Sequence, residues 1–188
     1  MPPETMTTRR TRSDSQRNLA ALLDAAKRVF TTSGVDAPVR EVAAAAGVGV
    51  GTLYRHFPQR SDLVIAVFRH EIDACAAAAD EFAESLGPAD ALIAWLHRYS
   101  GFIATKHGLS AALHSGDPAF EPLPDYFMSN LGPALTRLLD RAVGAGEIRP
   151  DVSVDDLIST VRELSGVGSS EMVARMVDVF ADGLRVRV

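Results

Sequence analysis

The sequence predicts an all-α protein of about nine helices, in which a small N-terminal domain of three helices precedes a larger helical domain. Alanine is abundant and β-branched residues occur only in short runs, a composition that favours helices over strands. Apolar residues recur at spacings of three and four over most of the chain. Glycine and proline mostly fall between these periodic stretches, where helices end.

The N-terminal part predicts an arm followed by three helices. Residues 1–14 are polar and contain three clustered arginines, so we expect them to form a disordered basic arm. A helix then extends from the candidate cap Ser15 to Gly34. Two short helices follow, separated by Gly47, and complete a domain of residues 15–60.

Residues 61–188 predict the larger domain. Ser61 is a candidate cap for a long helix, and a glycine and proline pair at 87–88 ends that helix before the next one begins. A loop is predicted over 115–124, which contains two clusters of glycine, aspartate and proline. The remaining helices are expected over residues 88–106, 108–114, 125–143, 153–165 and 169–186.

Charge is divided unevenly along the chain. Residues 1–60 hold 9 Lys and Arg against 5 Asp and Glu, a net charge of +4, so the rest of the chain carries −9 to give the total of −5. A basic N-terminal third on an acidic body is typical of a protein whose N-terminal end meets a polyanion.

The composition excludes several classes of protein. Cys75 is the single cysteine, which excludes an intramolecular disulfide and a cysteine zinc site. No apolar run reaches the ~18 residues that span a bilayer, and the N-terminus lacks the apolar core of a signal peptide, so we expect a cytoplasmic protein that does not enter a membrane. The five histidines lack the spacing of a ligand set and no catalytic grouping is legible, so we expect no metal, no cofactor and no enzyme activity.

The most informative stretch is residues 39–63, where two short helices flank a glycine-containing turn and predict a helix-turn-helix. Ala43 is small enough for the two helices to approach closely, and Gly47 supplies the backbone freedom of the turn. Leu53 and Phe57 are expected to point inward. The remaining side chains of the second helix then point outward, as entry into a DNA major groove requires.

The same stretch resembles the signature of the TetR (tetracycline repressor) family of transcriptional regulators. The family has an AA-x-x-x-F helix before a glycine, followed by the run I-A-x-x-A-G-V-S-x-G-T-L-Y-x-H-F-x-x-K-x-x-L. This sequence matches the signature at Ala25, Ala26, Phe30, Gly34, Val42, Ala43, Ala46, Gly47, Val48, Gly51, Thr52, Leu53, Tyr54, His56, Phe57 and Leu63. It departs from the signature at Gly49, where the family usually has serine, near Pro38, where the family commonly has threonine, and at Arg60, where the family has lysine.

The resemblance implies that seven residues bind DNA. Four of them would hold phosphates and fix the register on the duplex: Thr52, Tyr54, His56 and Arg60. Three would face base edges: Val50, Gly51 and Arg55. Among these, Arg55 would pair with a guanine and Val50 would touch a thymine methyl group. Because Gly49 and Gly51 offer no side chain, groove shape would supply part of the specificity.

The bulky side chains of the larger domain have two interpretations. They form either an apolar core or, as the resemblance implies, a pocket for a small molecule. The candidates for the pocket are Trp95, Tyr99, Phe102, His114 and Phe127. Cys75 lies among alanines on a helix, which favours a buried structural thiol over a redox sensor.

The last two helices carry an apolar stripe that is broader than one contact within the chain needs. It forms either a single buried seam or a four-helix interface between two copies of the chain, and the resemblance favours the interface. The candidates for the interface are Leu157, Val161, Val173, Met176, Val177, Phe180 and Leu184.

The sequence therefore predicts a sequence-specific DNA-binding transcriptional regulator, which represses transcription and is released by a small-molecule inducer. A homodimer would place two recognition helices on the half-sites of a pseudo-palindromic operator in double-stranded DNA. The alternative is a helical small-molecule-binding protein with a degenerate DNA-binding head, which the apolar character of Gly49 and Val50 favours. Substitution of Tyr54 and Arg55 separates the two, because only a repressor would lose operator binding.

Overall fold

The computed structural model describes residues 5–108, 116–166 and 168–186, with side chains at 18–103, 116–166 and 168–186. Within these residues the chain forms eight α-helices and no β-strand, which confirms the all-α prediction. No helix in the described ranges is both long and apolar enough to cross a membrane. The helices are α1 Thr5–Ser33, α2 Val39–Ala45, α3 Val50–His56, α4 Arg60–Ser85, α5 Pro88–Gly108, α6 Leu123–Gly144, α7 Val154–Ser165 and α8 Ser170–Leu184.

The described chain divides into two compact units. The first contains the chain up to His70 together with residues 116–120, and the second contains Glu71–His107 and the chain from Glu121 onwards. The division falls inside α4, whereas the sequence predicts a boundary after residue 60. A boundary inside a continuous helix has no signature in the sequence, because the helical periodicity continues through it.

Helix α1 begins at Thr5, so residues 5–14 are helical where the sequence predicts a disordered arm, and Ser15 lies inside the helix rather than at its cap. No glycine or proline occurs in this helix, and its arginines and glutamine are good helix formers, so no residue interrupts it. Its C-terminal half buries Ala26 and Phe30. The predicted end is confirmed, since the N–H of Gly34 donates to the carbonyl of Phe30 at 3.1 Å.

Helix α4 begins at Arg60, and the predicted cap Ser61 lies in its first turn. The backbone N–H of Gln59 donates to a carboxylate oxygen of Asp62 at 2.9 Å. A carboxylate in the first turn accepts from an amide that has no partner inside the helix and complements the helix dipole. Asp62, and not the predicted Ser61, therefore caps the N-terminus of α4.

The connection between α5 and α6 is described from residue 116. A 3-10 turn spans Pro118–Phe120 within the loop predicted over 115–124, and α6 begins two residues earlier than predicted, at Leu123. The helix predicted over 108–114 lies outside the described residues, apart from Gly108, which ends α5.

The second unit has its core along α5 and α6. The indole N–H of Trp95 donates to the carbonyl of Cys75 at 2.8 Å, which satisfies the one polar atom of a buried ring. The backbone N–H of Ala89, in the first turn of α5, donates to the carboxylate of Glu147 at 2.8 Å. The most buried large side chains of these two helices are Trp95, Leu92, Leu96, Tyr99, Phe102, Ile103 and Leu131.

Helices α7 and α8 pack against each other, and each begins with a serine cap. The hydroxyl of Ser153 accepts from the N–H of Asp156 at 3.1 Å, and the carboxylate of Asp156 accepts from the N–H of Ser153 at 2.9 Å. Hydrogen bonds from the hydroxyl and the backbone N–H of Ser153 to this carboxylate lower the pKa of Asp156, because they favour its charged form. The hydroxyl of Ser169 accepts from the N–H of Met172 at 3.3 Å and starts α8 in the same way.

Candidate nucleic-acid interface

The turn between α2 and α3 depends on Gly47. Its φ is +67°, in the left-handed region that favours glycine. The N–H of Gly47 donates to the carbonyl of Ala44 at 3.1 Å, and the N–H of Val48 donates to the carbonyl of Ala43 at 3.0 Å. These bonds close the C-terminus of α2 and set the direction in which the chain leaves it, as the sequence predicts for the turn glycine.

Two buried side chains anchor α3 in the first unit. Leu53 is 1% exposed and Phe57, which directly follows the helix, is 8% exposed. Val42 and Ala43 of α2 are buried as well. The prediction that Leu53 and Phe57 point inward is confirmed. Since the two anchors are four residues apart, they lie on one side of α3 and leave the other side to solvent.

The opposite side of α3 faces outward. Val50 is 39% exposed and Tyr54 is 49% exposed, and Arg55 and His56 are exposed as well, whereas Thr52 is half-buried. The predicted outward orientation is thus confirmed for four of the five residues and holds in part for Thr52. The helix contains no acid and ends with two basic residues, so it approaches a polyanion without repulsion from its own side chains.

The two glycines at the start of α3 are not required by the backbone. Neither Gly49 nor Gly51 has a positive φ. A Cβ added at Gly51 would meet nothing within 4 Å, and one at Gly49 would meet only the hydroxyl of Thr52, at 3.9 Å. The fold therefore accepts larger residues at both positions. The two glycines leave the backbone at the start of α3 uncovered, so that a binding partner can approach it closely.

The exposed side chain of Arg55 is held against its own helix. Its Nε donates to the carbonyl of Gly51 at 3.3 Å, and its Nη2 donates to Oγ1 of Thr52 at 3.1 Å. Because residues three and four apart share one face of a helix, the guanidinium lies along the outward face of α3.

Arg60 has a structural role that the sequence does not predict. Its half-buried guanidinium donates through Nη1 to the carbonyl of Val35 and through Nη2 to the carbonyl of Ala37, the latter at 2.7 Å. These carbonyls belong to the loop between α1 and α2, so Arg60 fastens that loop to the start of α4. The predicted phosphate contact therefore competes with two internal hydrogen bonds for the donors of Arg60.

Two family descriptions match the chain. Residues 22–67 match "Bacterial regulatory proteins, tetR family", and residues 87–186 match "Transcriptional regulator SbtR-like, C-terminal domain", which alone covers more than half of the chain. The chain belongs to the TetR family of bacterial transcriptional regulators. The matched N-terminal range contains the whole helix-turn-helix and both anchors of α3.

The relatives agree with this assignment. The chain is 40% identical over 78 residues to the HTH-type transcriptional repressor LfrR of Mycolicibacterium smegmatis, a match that spans 42% of this chain and only 41% of LfrR. The TetR transcriptional regulator SCO0520 of Streptomyces coelicolor is 34% identical with a TM-score of 0.78, over 90% of this chain and 99% of that one. A TetR regulator of Mycobacterium vanbaalenii is 33% identical with a TM-score of 0.72, over 94% and 99%.

A solved structure of LfrR in complex with proflavine shares the fold of this TetR-family chain. The two have a TM-score of 0.65 at 24% identity, over 93% of this chain and 99% of that one.

The aromatic residues predicted to line a pocket form a stacked cluster in the second unit. The ring centroids of Trp95 and Tyr99 are 5.5 Å apart at an interplanar angle of 11°, and those of Phe102 and Phe127 are 5.9 Å apart at 26°. The first three rings are fully buried, whereas Phe127 is half-buried. The structure thus brings four of the five predicted residues together, and the fifth, His114, lies outside the described residues.

The hydroxyl of Tyr99 is the exceptional atom of this cluster. It is buried and has no hydrogen-bond partner among the described residues. Burial raises the pKa of Tyr99, so the hydroxyl stays protonated and remains able to donate. A buried hydroxyl without a partner costs about 1–3 kcal/mol.

Cys75 is fully buried, which agrees with the predicted structural thiol. Burial raises the pKa of the thiol to about 12, and Glu71 adds to this rise while Arg98 opposes it. The buried Glu71 was not predicted as a notable residue, and its carboxylate lies 3.7 Å from Nη2 of Arg98. The sequence of α4 does indicate that Glu71 is buried, because this acid occupies a position of the helical repeat that is otherwise apolar. The repeat is Leu63, Val64, Val67, Phe68, Glu71, Ile72 and Cys75.

Most of the predicted interface residues are instead core residues of a single chain. The side chains already buried within one protomer are Leu157, Val161, Val173, Val177 and Leu184. Their surface is therefore already covered within one protomer, before any partner arrives. Of the seven predicted residues, only Met176 and Phe180 are not buried, with Met176 39% exposed.

A different apolar stripe of α8 faces outward. Met176 and Val179 are 39% and 64% exposed, and Met172 one turn earlier is half-buried. An open groove of about 480 Å³ lies along this stripe. Its lining residues are Ser159, Thr160, Glu163, Leu164, Met172 and Met176. We call these residues, together with Val179, the α7–α8 face.

Proposed function

We propose that this TetR-family regulator binds double-stranded DNA through α3 and acts as a dimeric repressor that a small molecule releases. One observation carries the DNA-binding part: α3 is fixed by Leu53 and Phe57 and turns an acid-free face outward. A B-DNA major groove is about 12 Å wide and accepts one helix. The outward face of α3 then meets the base edges, while the anchors keep its orientation fixed.

Tyr54 and His56 are the proposed phosphate contacts, because each offers a hydrogen-bond donor at an exposed position. Thr52 and Arg60 contribute less than the sequence predicts, since one is half-buried and the other donates to two carbonyls. Arg55 faces the bases. The bare surface of Gly51 supports this assignment, because it lets the duplex approach the helix backbone closely.

The α7–α8 face is the proposed contact between two copies of the chain. An exposed apolar stripe on a terminal helix pair supports a four-helix interface in which the same face of each copy meets the other. The two α3 helices would then read half-sites about one helical turn apart.

The stacked aromatic cluster is the proposed inducer site. Tyr99 supports this because its buried hydroxyl has no partner among the described residues. The stacked aromatic rings beside it favour a ligand that contains a planar ring. LfrR is recorded in complex with proflavine, a planar compound of this kind. Binding there would release DNA by favouring a state with lower operator affinity, with a coupling of about 1–3 kcal/mol.

Selection from a pool of random duplexes tests the DNA-binding part. We expect the immobilised protein to enrich a pseudo-palindromic sequence, and fluorescence anisotropy then measures its affinity for that duplex. Arg55→Ala and Tyr54→Phe should lower the affinity. Tyr126→Phe is the matched control, because Tyr126 lies on α6, where its hydroxyl donates to Asp73 at 2.6 Å, and it should leave the affinity unchanged.

If no sequence is enriched even at low salt, the repressor proposal is wrong and the alternative of a small-molecule-binding protein with a degenerate DNA-binding head gains support. The same result follows if substitution of Tyr54 and Arg55 leaves the binding of the enriched duplex unchanged.

Trp95 provides a test of the inducer site, since it is the single tryptophan of the chain and stacks on Tyr99. We expect proflavine to change the Trp95 emission and to release the selected duplex. Tyr99→Phe should leave the melting temperature of the ligand-free protein unchanged or raise it, and should weaken proflavine binding. If proflavine leaves the Trp95 emission of the DNA-free protein unchanged, the cluster is not its binding site.

A further inference from the structure

Arg55 is exposed, yet its side chain is not free. An arginine on a helix surface ordinarily samples many rotamers, and fixing it costs entropy when it binds a partner. Here two hydrogen bonds within α3 hold the guanidinium before any partner arrives: Nε donates to Gly51 and Nη2 donates to Thr52. No acid of the described residues forms an ion pair with it. The restraint therefore comes from the recognition helix itself.

The pattern of donors is informative. Nε and Nη2 lie on the same edge of the guanidinium, and this edge faces the helix. Of the five N–H donors of an arginine, the two on Nη1 and the second one on Nη2 remain. These three point away from the edge held by α3, where they are available to the two acceptors, O6 and N7, that a guanine presents in the major groove.

We propose that Thr52 is a positioning residue that presets Arg55 to read a guanine, rather than an independent phosphate anchor. This inference rests on the proposed function of α3 as the recognition helix. The hydroxyl of Thr52 accepts a hydrogen bond from Arg55 and so restricts the rotamers that the arginine adopts before it meets a base. Removing that hydroxyl loosens the arginine without removing its charge.

The two roles of Thr52 predict different losses. A phosphate anchor carries no sequence information, so its removal weakens binding to every duplex equally. A positioning residue acts through Arg55, so its removal lowers the preference for one base pair. The decisive quantity is therefore a ratio of affinities rather than an affinity.

The test uses the full chain and the duplex enriched from the random pool. The base pair read by Arg55 is the one at which Arg55→Ala loses its preference, and a second duplex carries another base pair there. We expect the wild type to prefer the guanine duplex by about tenfold, the scale of one bidentate contact. Thr52→Val should reduce this preference to about threefold, and Thr52→Ser, which keeps the hydroxyl, should restore it.

The double variant completes the test. In the Arg55→Ala background, Thr52→Val should not change the ratio further, since the two residues act as one unit. Thr136→Val is the control on α6, where the hydroxyl of Thr136 donates to the carbonyl of Gly132 in its own helix, and it should leave the ratio at its wild-type value. Thr52→Ala replaces Thr52→Val if the valine variant melts at a lower temperature.

An unchanged ratio in Thr52→Val, with both duplexes weakened equally, would overturn the inference and leave the proposed function intact. A wild type that enriches no sequence would overturn the proposed function, and the inference with it.

Discussion

Helices α3 and α8 both follow a glycine with positive φ, Gly47 at +67° and Gly168 at +104°, and both carry apolar and polar residues. The sequence distinguishes the inward from the outward side chains of α3 correctly except at Thr52, which is half-buried. In α8 it does not, because Val173 and Val177, expected between two chains, are buried within one. The two helices differ in the number of apolar stripes that they carry.

Helix α3 has a single apolar stripe, formed with Phe57, which follows it, and its other positions are polar or glycine apart from Val50. Helix α8 has two stripes. The inner one is Val173, Val177, Ala181 and Leu184, and the outer one is Met172, Met176 and Val179. Since successive residues are about 100° apart on a helix, these stripes lie side by side. In a helix with one apolar stripe the sequence shows which side is buried. In a helix with two, packing against the neighbouring helices determines which stripe is buried.

The largest expected effect comes from removing an anchor of α3. Leu53→Ala deletes a buried side chain that is 1% exposed, and such deletions cost about 2–5 kcal/mol. We expect loss of DNA binding, together with a lower midpoint of urea unfolding. Tyr54→Ala on the outward side should weaken DNA binding without moving the midpoint. If both substitutions lowered the midpoint equally, the distinction between a buried and an exposed side of α3 would be wrong.

The second effect separates the stripes of α8. Val179→Asp places a charge on the outer stripe, where the side chain is 64% exposed, and should convert a dimer into a monomer with unchanged helix content. Val177→Ala opens space in the inner stripe and should cost about 1–3 kcal/mol of unfolding free energy with the dimer retained. Analytical ultracentrifugation and denaturant unfolding measure the two outcomes. A dimer that survives Val179→Asp would contradict the assignment of the α7–α8 face.

The sequence predicts structure best where a residue type has a single structural explanation. Gly47 marks a turn because its positive φ suits glycine, and the alternation of Leu53 with exposed neighbours marks the buried side of α3. It fails where the deciding partner is distant in the chain. The donors of Arg60 meet Val35 and Ala37 more than twenty residues away, and no local pattern records those contacts.

The start of α1 and the pocket show two further limits. Residues 5–14 are polar, which predicts disorder, yet they lack any helix breaker and continue α1. The pocket candidates rest on residue type and on the family resemblance, and only the structure distinguishes Tyr99, whose hydroxyl has no partner among the described residues, from Trp95, whose N–H is satisfied.

A third, smaller effect tests the role of Arg60. Arg60→Met removes the hydrogen bonds to the loop carbonyls, and bonds from a charged group are worth about 1.5–3 kcal/mol when fully buried, less for this half-buried side chain. We expect a lower melting temperature and an unchanged slope of log affinity against log salt. A phosphate contact would give the reverse: an unchanged melting temperature and a slope reduced by about 1.

The smallest effect concerns Cys75 and lies away from both helices. Because burial raises its pKa to about 12, the folded thiol stays neutral at pH values where the unfolded one ionises. The unfolded state then binds fewer protons, so the free energy of unfolding contributed by this group is complete below about pH 9 and falls as pH rises towards 12. Cys75→Ala should remove this dependence, and a thiol reagent at pH 8 should label Cys75 only after unfolding. Rapid labelling of the native protein would contradict the structural role.

Oxidative footprinting of the whole chain, with and without the selected duplex, tests the central claim most directly. Three side chains have similar exposure in one protomer, at 49% for Tyr54, 39% for Met176 and 45% for Met128. We expect DNA to protect Tyr54, the dimer to protect Met176 with or without DNA, and Met128 to stay reactive throughout as the internal standard. If Tyr54 remains reactive in the DNA complex, or Met176 reacts as readily as Met128, then α3 does not meet DNA or α8 does not meet a second copy.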